Sequence, residues 1–467
     1  MLKPTVKPKI GLLPTGHKMY WAQYPNLKEM GMRMYNALMD QLSVFGEVVS
    51  AGLADDFESA SEAADLFTKC NIDILLIFPF GYTTGMMIVP ALKVINVPIR
   101  LLNAHEDASY DFKNAGTDIY LHHEGVCGIP EYSCALTAMN KKFKVISGHF
   151  GESRFWNEIK CACMGAAAAT AYSRSRFAVI GNTYTNMIDM PTDDNRILRA
   201  TGQLLCRPEI EEIEEAYKRV TQEKLDNMYA EFREYYEIDN TVTDEHMLES
   251  AKIAVAFDEI IRKYGIDAFG YYWWGEKESV IELRAQSALA VSRLTAKGIP
   301  GVTEGDIKAA MAMLVLNMLG GGGMFMEFMS LDFNENVFLA GHDGPSNVDM
   351  AQGKPLLENL SVHHGKTGEG LGINFKMKEG ICTILNISQF GTEKPFKLIY
   401  TIGEIVSGDI LKIGNPNCRV KIEKPFHIFF NDWCQQAPGH HSALGMGDFS
   451  GELECFAEKT GFDCVRV

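Results

Sequence analysis

Two glutamates and a few histidines, each beside glycine or an apolar run, are the residues of this chain best suited to chemistry. Glu304 stands in E-G-D, ahead of an apolar, helix-like run beginning near Asp306. Glu327 closes G-G-G-G-M-F-M-E. His342 lies in A-G-H-D-G-P, and His440 and His441 lie together in P-G-H-H-S. Two carboxylates with two imidazoles suit a divalent cation of intermediate hardness, such as Mn, Fe or Co. Each residue also has a plainer account. An acid at a helix start is favoured by the helix dipole. A histidine in a turn is commonly just exposed. Glu327, flanked by Phe and Met, is harder to explain at a surface. If buried, it needs a cation or an Arg or Lys, because an uncompensated buried charge is costly. Neighbours on an extended segment face opposite ways, so at most one of His440 and His441 is expected to reach a given cation.

Other candidates compete. His363 and His364, followed by Lys366 and Glu369, read as a polar loop and as non-ligands. His122 and His123 precede Glu124 and form a possible pocket element. The run Gly320 to Gly323 lacks the Lys-Ser/Thr of a phosphate-binding loop. Its expected role is a sharp backbone turn that lets Glu327 into a site. No G-x-S-x-G is present, so a serine hydrolase is not supported.

The elements that must position these residues are legible in outline. A chain of 467 residues implies two or three domains. Ile72 to Phe80 is a short apolar run, the mark of a strand covered on both faces. Strand candidates at Lys9–Leu13, Ile99–Leu102 and Lys144–Ser147 alternate with helical spacing at Leu27–Leu42, Ala60–Lys69 and Met86–Ile95, which implies a parallel sheet. Ile210 to Tyr236 reads as one solvated amphipathic helix, and Asp244 to Tyr264 as another. Strands are expected again at Phe177–Ile180 and Asp267–Trp274. Beyond Glu327 the texture turns to β-rich runs at Ile381–Gln389, Phe396–Gly408, Asp409–Ile413 and Phe426–Phe430. The expected fold is thus two Rossmann-like parallel-sheet domains, residues 1–174 and 175–325, and an antiparallel barrel-like domain, 326–467.

Acids outnumber bases, 60 to 44, which argues against nucleic acid as the main partner. No apolar run is long enough to span a membrane. Eleven cysteines are scattered with no C-x-x-C, the pattern of free thiols in a reducing cytoplasm. No secretory leader is read at the start, so a cytoplasmic location is expected.

At these residues the chain resembles the L-arabinose isomerase family. L-A-V-S-R-L at Leu289 to Leu294, E-G-D at Glu304, G-G-M-F-M-E ending at Glu327, G-H-D at Gly341 to Asp343, L-G-I at Leu371 to Ile373 and G-H-H at Gly439 to His441 match it in order. The resemblance implies metal ligands Glu304, Glu327, His342 and His441, with Glu304 and Glu327 also catalytic. It implies a manganese-type cofactor, a small sugar substrate and aldose–ketose isomerisation. It further implies a homohexamer in which His17, Met19 and Tyr20 reach a neighbour's pocket. The substrate wall departs from the family. Its His-Gly-Gly-Arg-Glu-Phe-Gly pocket loop is here C-G-I-P-E-Y-S at Cys127 to Ser133, which keeps Glu131 and lacks the histidine. His123 is the candidate substitute, Trp273 stands near a family pocket Phe, and His440 completes the expected substrate set. Ring opening falls to His17 or His123. A sugar epimerase or lyase, or a non-catalytic sugar binder, are the alternatives.

Overall fold

The computed structural model describes residues 4–272, 278–359 and 370–467. Trp273, His363 and His364 lie outside the described residues.

The chain divides into two compact units. The first comprises Val6–Thr170 and Gly451–Thr460. Its sheet contains β1 (Lys9–Thr15), β2 (Glu47–Val49), β3 (Ile74–Pro79), β4 (Ile99–His105) and β5 (Phe143–His149), all parallel in the order β2-β1-β3-β4-β5. Every residue of β3 is buried, as expected of a central parallel strand. The two faces pack separate cores. One gathers Ala60, Phe67, Leu92 and Tyr132. The other gathers Met34, Leu38, Phe155, Ile159 and Cys455. Cys455 belongs to the helix Ser450–Thr460, which returns to this unit from the far end of the chain. Arg100 of β4, 3% exposed at its side chain, meets Glu458 of that helix at 2.8 Å.

The second unit comprises Ala171–Ser450 with both chain ends, Met1–Thr5 and Gly461–Val467. It opens with a small parallel sheet. Its strand β6 (Phe177–Gly181) pairs with a later strand, Ala268–Tyr272, which pairs in turn with Gly301–Val302. With β7 (Glu237–Ile238) falling between them in sequence, these two are β8 and β9. Further on come β10 (Met324–Asp332), β11 (Val337–Gly341), β12 (Leu356–Asn359), β13 (Leu371–Asn374), β14 (Gly380–Ser388), β15 (Lys397–Val406), β16 (Asn417–Ile422), β17 (Ser442–Met446) and β18 (Asp463–Arg466). Antiparallel pairing runs β14-β17-β10-β11-β16-β15 and returns from β15 to β14. A barrel is closed, with β18 lying parallel outside β15. β12 pairs with β13 and with β7 in a separate three-stranded sheet. Closure leaves the barrel strands without free edges. Two parallel sheets followed by an antiparallel barrel is the expected fold class.

Several local expectations give way. Phe426–Gln435 is a helix, not a strand. Phe426, Phe429 and Trp433 recur at helical spacing and are its buried face. Asp409–Ile413 forms no strand. The helix expected over Ile210–Tyr236 is two, Ile210–Lys218 and Gln222–Tyr235, with Thr221 extended at the break. Cys127–Ser133 is not a loop but part of the helix Gly125–Ala138, which tolerates Pro130. All eleven cysteines are free thiols. Among the described residues no helix is long and apolar enough to cross a membrane.

Candidate metal centre

The second unit brings Glu304, Glu327, His342, His440 and His441 together. Each is delivered by a different local device. Glu304 sits in the turn Thr303–Gly305, after β9, with φ 64° and ψ 0°. A left-handed glutamate is a strained choice, of the kind held at functional sites. The turn lies close over β8, where a Cβ on Gly270 would come within 2.7 Å of the Gly305 carbonyl carbon. Gly305 itself has φ +74°, and a Cβ there would strike the Asn182 carbonyl oxygen at 2.4 Å. Asp306 then caps the helix Ile307–Met318, accepting from the Lys308 backbone N–H at 3.2 Å. That helix is buried almost throughout. The glycine run after it turns with positive φ at Gly320, Gly322 and Gly323, and β10 carries Glu327 in register with Gly341. His342 follows at the end of β11. His441 immediately precedes β17, on the other side of β10.

His342 Nε2 and His441 Nε2 face each other at 3.1 Å. Each imidazole has its other nitrogen fixed. His342 Nδ1 lies 2.8 Å from the Asp343 carbonyl oxygen, which can only accept, so Nδ1 carries the hydrogen. His441 Nδ1 lies 3.2 Å from Asp306 Oδ2. Burial would push the Asp306 carboxyl up, but Lys308 and His441 hold it well below its ordinary range. It is therefore an ionised acceptor, and His441 Nδ1 is the donor. In the neutral rings both Nε2 atoms present acceptor lone pairs toward one another. Two lone pairs at this distance repel unless positive charge lies between them.

Carboxylates complete the arrangement. Glu304 Oε1 is 4.0 Å from His342 Nε2, and its Oε2 is 3.7 Å from His441 Nε2. The Glu304 Oε2 atom is buried and, among the described residues, makes no hydrogen bond. Burial raises the Glu304 pKa, and the nearby charge of Glu327 adds to this. Two overlapping groups have ligand atoms mutually within 4.8 Å: Glu327, His342 and His441, and Glu304, His440 and His441. Phe325 walls the site, its ring 4.1 Å from that of His342 and 4.5 Å from that of His441. Opposed nitrogen lone pairs, an orphaned carboxylate oxygen and a mixed N/O donor set fit a divalent cation.

A ring of supporting contacts surrounds the ligands. Lys308, 2% exposed, binds Asp306 at 2.9 Å, the Met190 carbonyl at 2.8 Å and Thr192 Oγ1 at 3.1 Å. Asn386 Nδ2 donates to the His441 and Gly439 carbonyls at 2.6 and 2.8 Å. Sequence reasoning placed Asp306 only at a helix start and passed over Lys308, Asn386 and Asp189. The one available signal was an acid–lysine pair inside an otherwise apolar run. His440 and His441 also depart from the alternating expectation. They sit at a bend before β17, with ring centroids 3.8 Å apart, and both come within reach of Glu304.

The remaining expected substrate residues belong to the first unit. His17 and Tyr20 cluster with Tyr82, with ring centroids 5.5 Å apart for His17–Tyr20 and 6.1 Å for His17–Tyr82. Met19 is exposed. Glu131 Oε1 accepts from the Gly85 backbone N–H at 2.7 Å. His123 stacks on Tyr110 at 4.2 Å and shares a cavity at the carboxyl ends of β3 and β4 with Asn103, His105 and His122.

A family profile described as the L-arabinose isomerase central domain matches residues 202–322. The chain is 21% identical over 452 residues to a protein named L-arabinose isomerase from Oceanobacillus iheyensis, covering 94% of this chain and 92% of that one. It is likewise 21% identical over 452 residues to one named L-arabinose isomerase 2 from Bacillus licheniformis, with the same coverage. Over 422 residues it is 21% identical to a third from Shouchella clausii, covering 88% and 85%.

Proposed function

We propose that this chain, a divergent relative of the L-arabinose isomerases, is a metal-dependent aldose–ketose isomerase acting on a monosaccharide. The observation that carries this reading is the pair of Nε2 lone pairs held face to face beside Glu304 and Glu327. Glu304, Glu327, His342 and His441 would hold the ion; the mixed oxygen and imidazole set suits Mn, Fe or Co, and the family resemblance selects manganese among them. Once bound, it would act as a Lewis acid toward neighbouring carbonyl and hydroxyl oxygens.

The chain's own residues supply the proton chemistry. An aldose and its ketose differ by one proton between C1 and C2 and one between their oxygens. Glu304 and Glu327 flank one site, so one carboxylate takes the proton from C2 as the ene-diol forms. The same proton or its exchange partner is returned at C1. General acid–base work of this kind contributes roughly 10²–10⁴-fold. Phe325 and the buried helix Ile307–Met318 keep bulk water from one side. Supplying substrate contacts in this reading are His440 and, from the first unit of a neighbouring subunit, His17, Met19, Tyr20, His123 and Glu131. Trp273 belongs to the same proposed set. A cytoplasmic homohexamer with shared active sites is part of the same reading, as is the division into domains 1–174, 175–325 and 326–467.

The deciding experiment is turnover of a panel of pentoses, hexoses and modified hexoses with Mn present, the products read by NMR. A ketose product with solvent deuterium at C1 supports the reading. An epimer, a dehydrated product, or tight sugar binding without turnover would replace it.

A further inference from the structure

One segment, Asn182 to Asp193, touches every layer of the centre. The Tyr184 backbone N–H donates to the Glu304 carbonyl at 2.8 Å. The Met190 carbonyl and Thr192 hydroxyl hold Lys308, which holds Asp306, which orients His441. Between these points Asp189 reaches the other histidine. Its Oδ2 lies 2.7 Å from His440 Nδ1 and accepts from the His440 backbone N–H at 2.8 Å. The segment is braced from behind, where Gln389 Nε2 donates to the Pro191 carbonyl at 2.8 Å and Gln389 Oε1 accepts from the Asp193 N–H at 3.2 Å.

A single carboxylate oxygen that accepts from both the backbone and the ring fixes His440 in position and in tautomer. Nδ1 carries the hydrogen, and Nε2 is left as an acceptor. Among the described residues no hydrogen bond reaches that Nε2. The ring lies against His441 and within reach of the Glu304 carboxylate, yet remains 38% exposed at its side chain. It is therefore at the open edge of the centre, beside the buried ligands.

We propose that Asp189 is a positioning residue that presents His440 Nε2 as a fixed hydrogen-bond acceptor for a hydroxyl of the bound sugar. This rests on the isomerase reading and adds a specificity rule to it: the substrate carries a hydroxyl donor where His440 points. An acceptor-only group at that place, such as an ether or a carbonyl oxygen, meets a lone pair and is rejected. Because the ring stays partly exposed, this selection is on the scale of one oriented hydrogen bond.

The test uses the Mn-loaded protein and L-arabinitol, an acyclic polyol that cannot be isomerised, titrated by calorimetry alongside steady-state kinetics on the best aldose of the panel. Asp189→Ala removes the acceptor. The expected result is polyol affinity weakened and KM raised about tenfold, the scale of one oriented hydrogen bond, with Mn affinity unchanged. Asp189→Asn keeps an oxygen that can take both donors, so it recovers most of the affinity. Unchanged polyol affinity in Asp189→Ala overturns the proposal, as does a matching fall in Mn affinity, which would mean the loop only props His441. Equal losses in the Ala and Asn variants also overturn it, because charge rather than acceptor geometry would then be at work. No polyol binding and no turnover by the unaltered Mn-loaded protein would sink the isomerase reading and this inference together.

Discussion

Imidazoles gather in two places in this molecule, and the two gatherings are built on opposite terms. In the second unit His342 and His441 are wrapped by Glu304, Glu327 and Asp306, and each ring has a hydrogen-bond acceptor on its Nδ1 side. In the first unit His105, His122 and His123 lie at the carboxyl ends of a parallel sheet; His123 stacks with His105 and with Tyr110, and His122 meets it edge-on. The nearby acid Glu106 is engaged by Arg33 at 3.2 Å. Burial lowers the pKa of all three rings, with like charge from neighbouring histidines adding to it for His105 and His122. His122 falls to about 4. Among the described residues its buried Nδ1 makes no hydrogen bond. In the second unit, carboxylates and imidazoles within 4.8 Å of one another make the donor set a cation would need. In the first, burial outweighs Glu106 and Asp107 and holds the rings toward the neutral form.

The largest effect expected from this contrast is on chemistry. Glu327→Gln should leave the fold intact while turnover falls by about 10³-fold, within the usual range for a lost acid–base group. Near-normal isomerisation by that variant would take Glu327 out of the mechanism. His122→Phe, in the other cluster, should leave bound manganese unaltered by elemental analysis.

Next in size is a pH dependence confined to the first unit. His122 titrates near 4 folded and near its ordinary 6.5 unfolded. Between these values the unfolded chain binds the extra proton, so stability rises with pH. Stability should be full above pH 6.5 and fall by about 3 kcal/mol by pH 4. His123, His105 and Arg33 reinforce the depression, and Glu106 opposes it. Denaturant unfolding at a series of pH values should show this slope, and His122→Phe should flatten it. An unchanged slope in the variant would assign it elsewhere.

The support around the cation comes third. Asp306→Asn removes the charged acceptor on His441 and the partner of buried Lys308. Manganese affinity, measured by titration, should fall about 10–100-fold, the usual cost of losing a group that orients a metal ligand. The smallest effect is on the backbone. Glu304→Gly relieves a left-handed residue, so unfolding free energy should rise by about 1 kcal/mol while activity disappears. A loss of stability instead would mean the turn depends on the Glu304 side chain.

Much of this was readable in the chain. Short apolar runs alternating with helical spacing located the parallel strands. Glu304, Glu327, His342 and the pair His440–His441 stand out in the sequence because each lies beside glycine or an apolar stretch, and the choice of His441 within the pair comes from the family resemblance. What could not be read were contacts between residues far apart. Asp189 lies 251 positions from His440, in a segment with no regular structure to announce it. The run Phe426–Phe430 misled because an aromatic stretch suits a strand as well as a helix. Only the barrel packing against Phe426, Phe429 and Trp433 decides for a helix. Proline in Gly125–Ala138 hid a helix for the converse reason, since a local breaker can be overruled by the packing around it.

The helix Ser450–Thr460 has a consequence for how the molecule is made. The first sheet emerges early during synthesis, but a piece of the layer that covers it follows only after the whole stretch Ala171–Ser450 of the second unit. Until Glu458 appears, Arg100 has no carboxylate to meet. A nascent chain, or one truncated before Gly451, would therefore hold an unfinished first unit with apolar surface showing, and the ten residues Gly451–Thr460 act as its closing seal.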